Sequence, residues 1–213
     1  MMKTDAELEG TYRFFNNPRI RPEQILQFHF DQTAARCRKF RKSWILHDTS
    51  IFSFGGESHR EGMGRIKGLV EGFQGHFSMA VVPEESRDTL GLLHVSLIND
   101  TGKIGLRSGK ARREAPDRQS KRWEDGVAAA AAMTGAETHL VHVMDRECDC
   151  YGLWNWMIEN SHDFVIRVSC NRKVNTEDGV RKMFELLSEK ESEQWTLERS
   201  IRISRRGRPF GNP

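Results

Sequence analysis

Two aspartates are the residues best placed to do chemistry. Asp48 lies in Trp44-Ile-Leu-His-Asp-Thr-Ser50, and Asp145 lies in Leu140-Val-His-Val-Met-Asp-Arg-Glu147. Each run is apolar and β-branched and reads as a buried strand, where a carboxylate is costly unless something pairs with it. Two such groups, remote in sequence, predict a shared cation. That is how a nuclease or transferase holds magnesium on a phosphodiester. Asp48 could instead be a turn or capping residue. Asp145 could cap a helix starting near Cys148, a role compatible with ligation. His47 and His142 stand near the aspartates but at opposite strand parity, so they read as packed or exposed histidines rather than ligands. Glu147 reads as helix-start chemistry rather than a third ligand.

The elements that must position these residues can be read from periodicity and punctuation. Residues 4–17 predict a helix capped by Thr4 or Asp5, ended by Pro18; Pro22 opens another, with Ile25, Phe28, Ala34 and Cys37 as its apolar stripe. Residues 44–54 predict the first strand. The glycine-rich stretch 55–76 predicts a loop, without the spacing of a phosphate-cradling motif. Residues 77–82 and 90–98 predict the second and third strands of an antiparallel meander. Trp123–Met133, with five consecutive alanines, predicts the strongest helix, stopped by Gly135. Residues 138–144 predict the fourth strand, 148–160 a helix with Leu153, Trp154, Met157 and Ile158 inward, and 163–169 the fifth strand. A helix over 177–190 and a strand over 195–203 follow. The fold class is therefore α/β, in the order β-β-β-α-β-α-β. If the first and fourth strands are neighbours, both carboxylates converge at one sheet edge. That is the order of a ribonuclease-H-like core: three antiparallel strands, helix, fourth strand, helix, fifth strand.

Bulk properties allow this and exclude little. The 213 residues suffice for one large domain or one domain with appendages, and the net charge of +3 says little about partners. Charge distribution says more. Residues 102–122 hold eight Lys or Arg against two acids, and 195–213 hold five Arg against one Glu, so both are candidate phosphate-contact surfaces. Cys37, Cys148, Cys150 and Cys170 include only a C-x-C pair, which completes no zinc site. They read as reduced cysteines of a cytoplasmic protein. The first ten residues lack the apolar core of a signal peptide, and no apolar run is long enough to span a membrane.

Asp145-Arg146-Glu147-x-Asp149-x-Tyr151, followed by Phe164-Val-Ile-Arg-Val-Ser169, resembles the second catalytic block of DDE cut-and-paste transposases, in the Tn-five-like branch of the insertion-sequence-four family. His47-Asp48-Thr49-Ser50 resembles the first block. Glu9–Pro18, Gly91–His94 and Lys121-Arg122-Trp123 are similar in kind and order, so the resemblance spans nearly all of residues 7–213.

The resemblance implies a ribonuclease-H-like core in which carboxylates hold divalent metal, Mg²⁺ or Mn²⁺, for hydrolysis and strand transfer at transposon ends within a protein–DNA dimer. It implies that Asp48 and Asp145 are the catalytic metal ligands. Arg146, Arg167, Arg172 and Lys173 become expected DNA contacts, and Thr49 and Glu147 expected supports of the ligands. It also implies a division into a helical lead-in over 1–43, a catalytic core over 44–175, and a helix with the start of a β-rich insertion over 176–213. The family's third carboxylate sits in a Tyr-x-x-Arg-x-x-x-Glu-x-x-x-x-x-x-Lys pattern that does not occur here, since the only tyrosines are Tyr12 and Tyr151. The core is therefore expected to be incomplete at its C-terminus and catalytically deficient, as an internal fragment or decayed copy, with a nucleoid-associated bacterial setting and no small-molecule cofactor. A non-catalytic remnant that binds DNA, or dimerises with an intact relative and interferes with it, is one alternative. A small-molecule-binding α/β protein is another, and would require the basic residues to lie away from the aspartates.

Overall fold

A computed structural model describes residues 4–55, 60, 63–67, 70–84, 86–99, 120–136, 138–190, 204–205 and 208–209. The chain divides into two compact units, Met1–Val168 and Ser169–Pro213.

The first unit opens with helix α1, Asp5–Phe15. The Thr4 side chain accepts from the Glu7 N–H, and the Glu7 side chain accepts from the Thr4 N–H, a reciprocal capping box. No residue of α1 is buried. Pro22 opens α2, Pro22–Cys37, where its missing N–H costs nothing. The expected apolar stripe buries only its C-terminal half: Ala34 and Cys37 are covered, whereas Ile25 and Phe28 are exposed.

Strand β1, Lys42–Phe54, is the spine of a mixed sheet. Strand β3, Val70–Val81, pairs antiparallel to it, and β4, Thr89–Ile98, pairs antiparallel to β3. Strand β5, His139–Met144, runs parallel to β1, and β6, Asp163–Ile166, runs parallel to β5. The order across the sheet is thus β4-β3-β1-β5-β6, with the short β2, Gly64–Lys67, also on β3. This mixed α/β arrangement is consistent with a ribonuclease-H-like fold.

The glycine-rich stretch is not a loop throughout. Strand β2 lies inside it, and β3 starts at Val70 rather than at residue 77. Its glycines lie under aromatic rings: Phe52 and Phe73 stack across the strands with centroids 4.9 Å apart. A Cβ on Gly75 would come within 2.8 Å of the Phe77 ring and 3.0 Å of Phe52. Glycine is retained there because the neighbouring rings occupy the space, a reason that composition does not reveal.

Helix α3, Lys121–Thr134, ends at Gly135, whose φ of 72° suits a residue without Cβ. A 3-10 turn, Arg146–Cys148, precedes α4, Tyr151–Glu159. The sequence expectation of one helix over 148–160 with Ile158 inward is corrected, since Ile158 is 66% exposed. Helices α2, α3 and α4 cover one face of the sheet. Ala34 and Cys37 pack with Ile45, Ala80, Leu93 and Ala130. Trp123 and Val127 pack with Met144, Leu153 and Met157. The other face carries Trp44, Leu46, Phe77 and Val143 only half-buried and leaves Leu97 and Val165 exposed.

In the second unit, β7, Lys173–Thr176, and β8, Gly179–Lys182, form a hairpin whose turn ends at Gly179 with φ of 112°. The expected helix over 177–190 therefore begins only at Met183, as α5, Met183–Lys190. The Asp178-Gly179 pair is a turn signal that outweighs helix propensity at its start. Strands β9, Ser204–Arg205, and β10, Arg208–Pro209, form a short ribbon. The strand expected over 195–203 lies outside the described residues.

Candidate functional site

Strand alternation decides what each residue of Trp44–Ser50 faces. Ser43, Ile45 and His47 point under the helices and are buried, so Asp48 emerges on the opposite face and is exposed. Asp145 follows the last residue of β5 and is exposed as well. The expectation that both carboxylates sit in buried strands is thus corrected: the strands are buried on one face only, and the aspartates occupy the other.

The two are nevertheless neighbours. The parallel ladder between β1 and β5 ends at His47 opposite Met144. Asp145 keeps an extended backbone, φ −84° and ψ −174°, so it follows on in line and falls opposite Asp48. Neighbouring strands lie about 4.8 Å apart, which sets the backbone spacing of the pair. On β6, Ile166 pairs with Met144, and the Arg167 N–H donates to the Met144 carbonyl at 3.2 Å. Arg167 therefore continues the same row, and the sheet presents Asp48, Asp145 and Arg167 side by side. Arg146 is exposed next to Asp145. Arg172 and Lys173 belong to the second unit, and of the basic stretch 102–122 only residues 120–122 are described.

One Asp145 oxygen, Oδ1, accepts the Glu147 N–H at 2.8 Å, capping the 3-10 turn. Glu147 in turn accepts from Arg122 Nη2 at 3.3 Å, while Arg122 Nε donates to Thr49 Oγ1 at 3.1 Å. Thr49, Ile51, Gln74, Arg122 and Glu147 line a pocket of about 300 Å³. The sequence gave no sign that Arg122 meets both segments; only the docking of α3 against β1 and the 3-10 turn creates that contact.

Beneath the aspartate row, on the helix side, lies a buried polar layer. His47 Nε2 is 2.9 Å from His142 Nδ1, and His47 Nδ1 is 3.0 Å from Ser78 Oγ. His76 Nδ1 is 3.0 Å from Thr49 Oγ1. Burial first, then the neighbouring His142, holds His47 well below the usual histidine pKa. Burial first, then Arg122, takes His76 to about 4, and burial first, then His162, takes His142 to about 3. These histidines are neutral at pH 7 and packed. The remaining members, His76, Ser78 and His94, carried a legible signal: once β1 and β3 are paired, they share the parity of His47.

Among the described residues, no group of three His, Cys, Asp or Glu is placed to hold a metal ion. The aspartate pair alone fits a hard cation that keeps most of its water, since Mg²⁺ is commonly bound by one or two carboxylates. Burial, then Asp145, pushes the Cys148 thiol up to about 12, which leaves it a poor ligand.

No protein-family model matches the chain. Among solved structures, it is similar to the Mos1 strand transfer complex, at 9% identity and a TM-score of 0.29, over 77% of this chain and 50% of that one. The chain thus spans about half the length of that structure's chain. A likeness of that strength leaves function to be argued from the residues themselves. No helix among the described residues is long and apolar enough to cross a membrane.

Proposed function

We propose that this chain is a DNA-handling core of the DDE transposase type, in which Asp48 and Asp145 hold Mg²⁺ or Mn²⁺ against a phosphodiester. The observation that carries the reading is the row Asp48–Asp145–Arg167: two carboxylates in register on adjacent parallel strands, open to solvent, with a guanidinium beside them. The order β4-β3-β1-β5-β6 supports it, because it is the strand order of a ribonuclease-H-like core. So do the two sequence blocks around Asp48 and Asp145.

A bound divalent cation would supply charge neutralisation at the phosphate and a more acidic water. The chain's own residues do the rest. Asp48 and Asp145 fix the cation's position. Arg167 and Arg146 offer guanidinium donors to phosphate oxygens on either side. Arg172 and Lys173 extend the basic set within the second unit, and a homodimer on transposon ends is the assembly the resemblance suggests.

The chain binds metal weakly and does not cut DNA robustly by itself, because no third carboxylate joins the pair among the described residues. The same observation favours a second reading, a DNA-binding or dimerising remnant that interferes with an intact relative.

The test is Mn²⁺ binding by electron paramagnetic resonance, with DNA binding measured across salt concentrations. Expected are weak Mn²⁺ binding lost in both Asp48→Asn and Asp145→Asn, DNA affinity that falls steeply with salt, and no robust nicking. Mn²⁺ binding indifferent to both substitutions would end the proposal. Robust metal-dependent nicking would overturn the claim of deficiency, and salt-dependent DNA binding without Mn²⁺ binding would select the second reading.

A further inference from the structure

We infer that Arg122 is the positioning residue that sets the spacing of Asp48 and Asp145, an inference that rests on the metal-binding reading above. The ladder between β1 and β5 stops at His47 and Met144, one step short of the aspartates. Beyond that point the two segments are joined through one side chain. Arg122 Nε donates to Thr49 Oγ1, on the residue after Asp48, and Arg122 Nη2 donates to Glu147 Oε2. The Glu147 N–H holds Asp145 Oδ1. The path Asp48–Thr49–Arg122–Glu147–Asp145 therefore closes across the sheet edge.

The bridge is rigid at its centre. Arg122 leaves only 13% of its side chain exposed, and its guanidinium carbon stands 5.6 Å from the centroid of Trp123, which is 1% exposed. Trp123 packs edge-on against His76 at 4.7 Å, and His76 Nδ1 reaches Thr49 Oγ1 from the other side. Arginine suits the task because its planar fork reaches two acceptors in fixed directions, whereas lysine offers a point charge on a flexible stem. Glu147 is 57% exposed, so its ion pair with Arg122 contributes little to stability. The effect of the bridge should appear in site geometry instead.

The experiment is Mn²⁺ titration of the full chain, followed by electron paramagnetic resonance, for wild type, Arg122→Lys and Thr49→Val, with Asp48→Asn as the reference for a lost site. Both bridge variants conserve charge, so a change in affinity reports geometry. Expected is Mn²⁺ affinity reduced fivefold to tenfold in Arg122→Lys and similarly in Thr49→Val, with the double variant no weaker than either alone. Wild-type affinity in both single variants, with loss in Asp48→Asn, overturns the role of Arg122 and leaves the metal reading standing. Absence of Asp48-dependent binding in wild type sinks the metal reading and this inference together. If Arg122→Lys melts at a lower temperature, Thr49→Val decides the matter by the same outcomes.

Discussion

His47 Nε2 and His142 Nδ1 approach to 2.9 Å inside the protein, between neighbouring parallel strands and under helix α3. Two neutral imidazoles can share that hydrogen only if their tautomers are matched. Ser78, on His47 Nδ1, biases the choice by donating or accepting. A proton added to either ring places a charge in this layer beside His76 and His94, with no carboxylate among the contacts named for His47.

Acid should therefore loosen the first unit. The folded-state pKa values of His47, His76, His94 and His142 all lie below the ordinary 6.5. Between the folded and unfolded values the unfolded chain binds more protons, so stability is full above about pH 6.5 and falls as pH drops towards about 3–4. Each group contributes about 1.4 kcal/mol per unit of its shift, and each kcal/mol moves the melting temperature by about 2–4 °C in a chain of this size. Melting followed by circular dichroism from pH 7.5 to 4 should show the fall, and His142→Gln should flatten it. A flat profile across that range would refute the buried neutral layer.

Gly126 lets α3 approach that layer. A Cβ there would stand 2.8 Å from Ser78 Oγ, 3.1 Å from His76 Nε2 and 3.2 Å from His47 Nδ1. Gly126→Ala gains about 1 kcal/mol of helix propensity but overpacks a hydrogen-bonded layer at a cost of about 1–3 kcal/mol. Urea unfolding should show a net loss of stability; a gain would mean that α3 does not press on the histidines.

Adjacent residues on β1 should respond oppositely. His47→Ala empties a buried site and strips Ser78 and His142 of partners, so a loss of about 2–4 kcal/mol is expected. Asp48→Ala touches an exposed side chain and should stay within about 0.5 kcal/mol of wild type. Equal destabilisation by both would contradict the assigned faces of the strand.

Thr4→Ala removes the hydroxyl of the α1 capping box, worth about 1 kcal/mol to the helix. Because α1 buries nothing, the loss should stay local. Amide hydrogen exchange in residues 7–15 should accelerate about fivefold, since 1 kcal/mol is close to that factor, while global melting is unchanged. Slowed melting in step with exchange would show that α1 is coupled to the body.

Local chemistry made much of this protein legible without coordinates. The capping box at Thr4, the proline at the start of α2, the alanine run ended by Gly135, and the alternation through Trp44–Asp48 are rules that act within a few residues. They identify the helices, the strands and the opposite parity of His47 and Asp48. Two things required the tertiary structure. The glycines of 55–76 look like loop residues until the rings of Phe52 and Phe77 are seen beside Gly75, because that crowding comes partly from another strand. The Arg122 bridge is invisible for the same reason: Thr49, Arg122 and Glu147 come from three separate elements. Which face of β1 is buried was likewise decided by where α2 and α3 dock, and that docking leaves Asp48 and Asp145 on the solvent side. A periodicity fixes which side chains share a face; only packing of remote segments decides which face is covered.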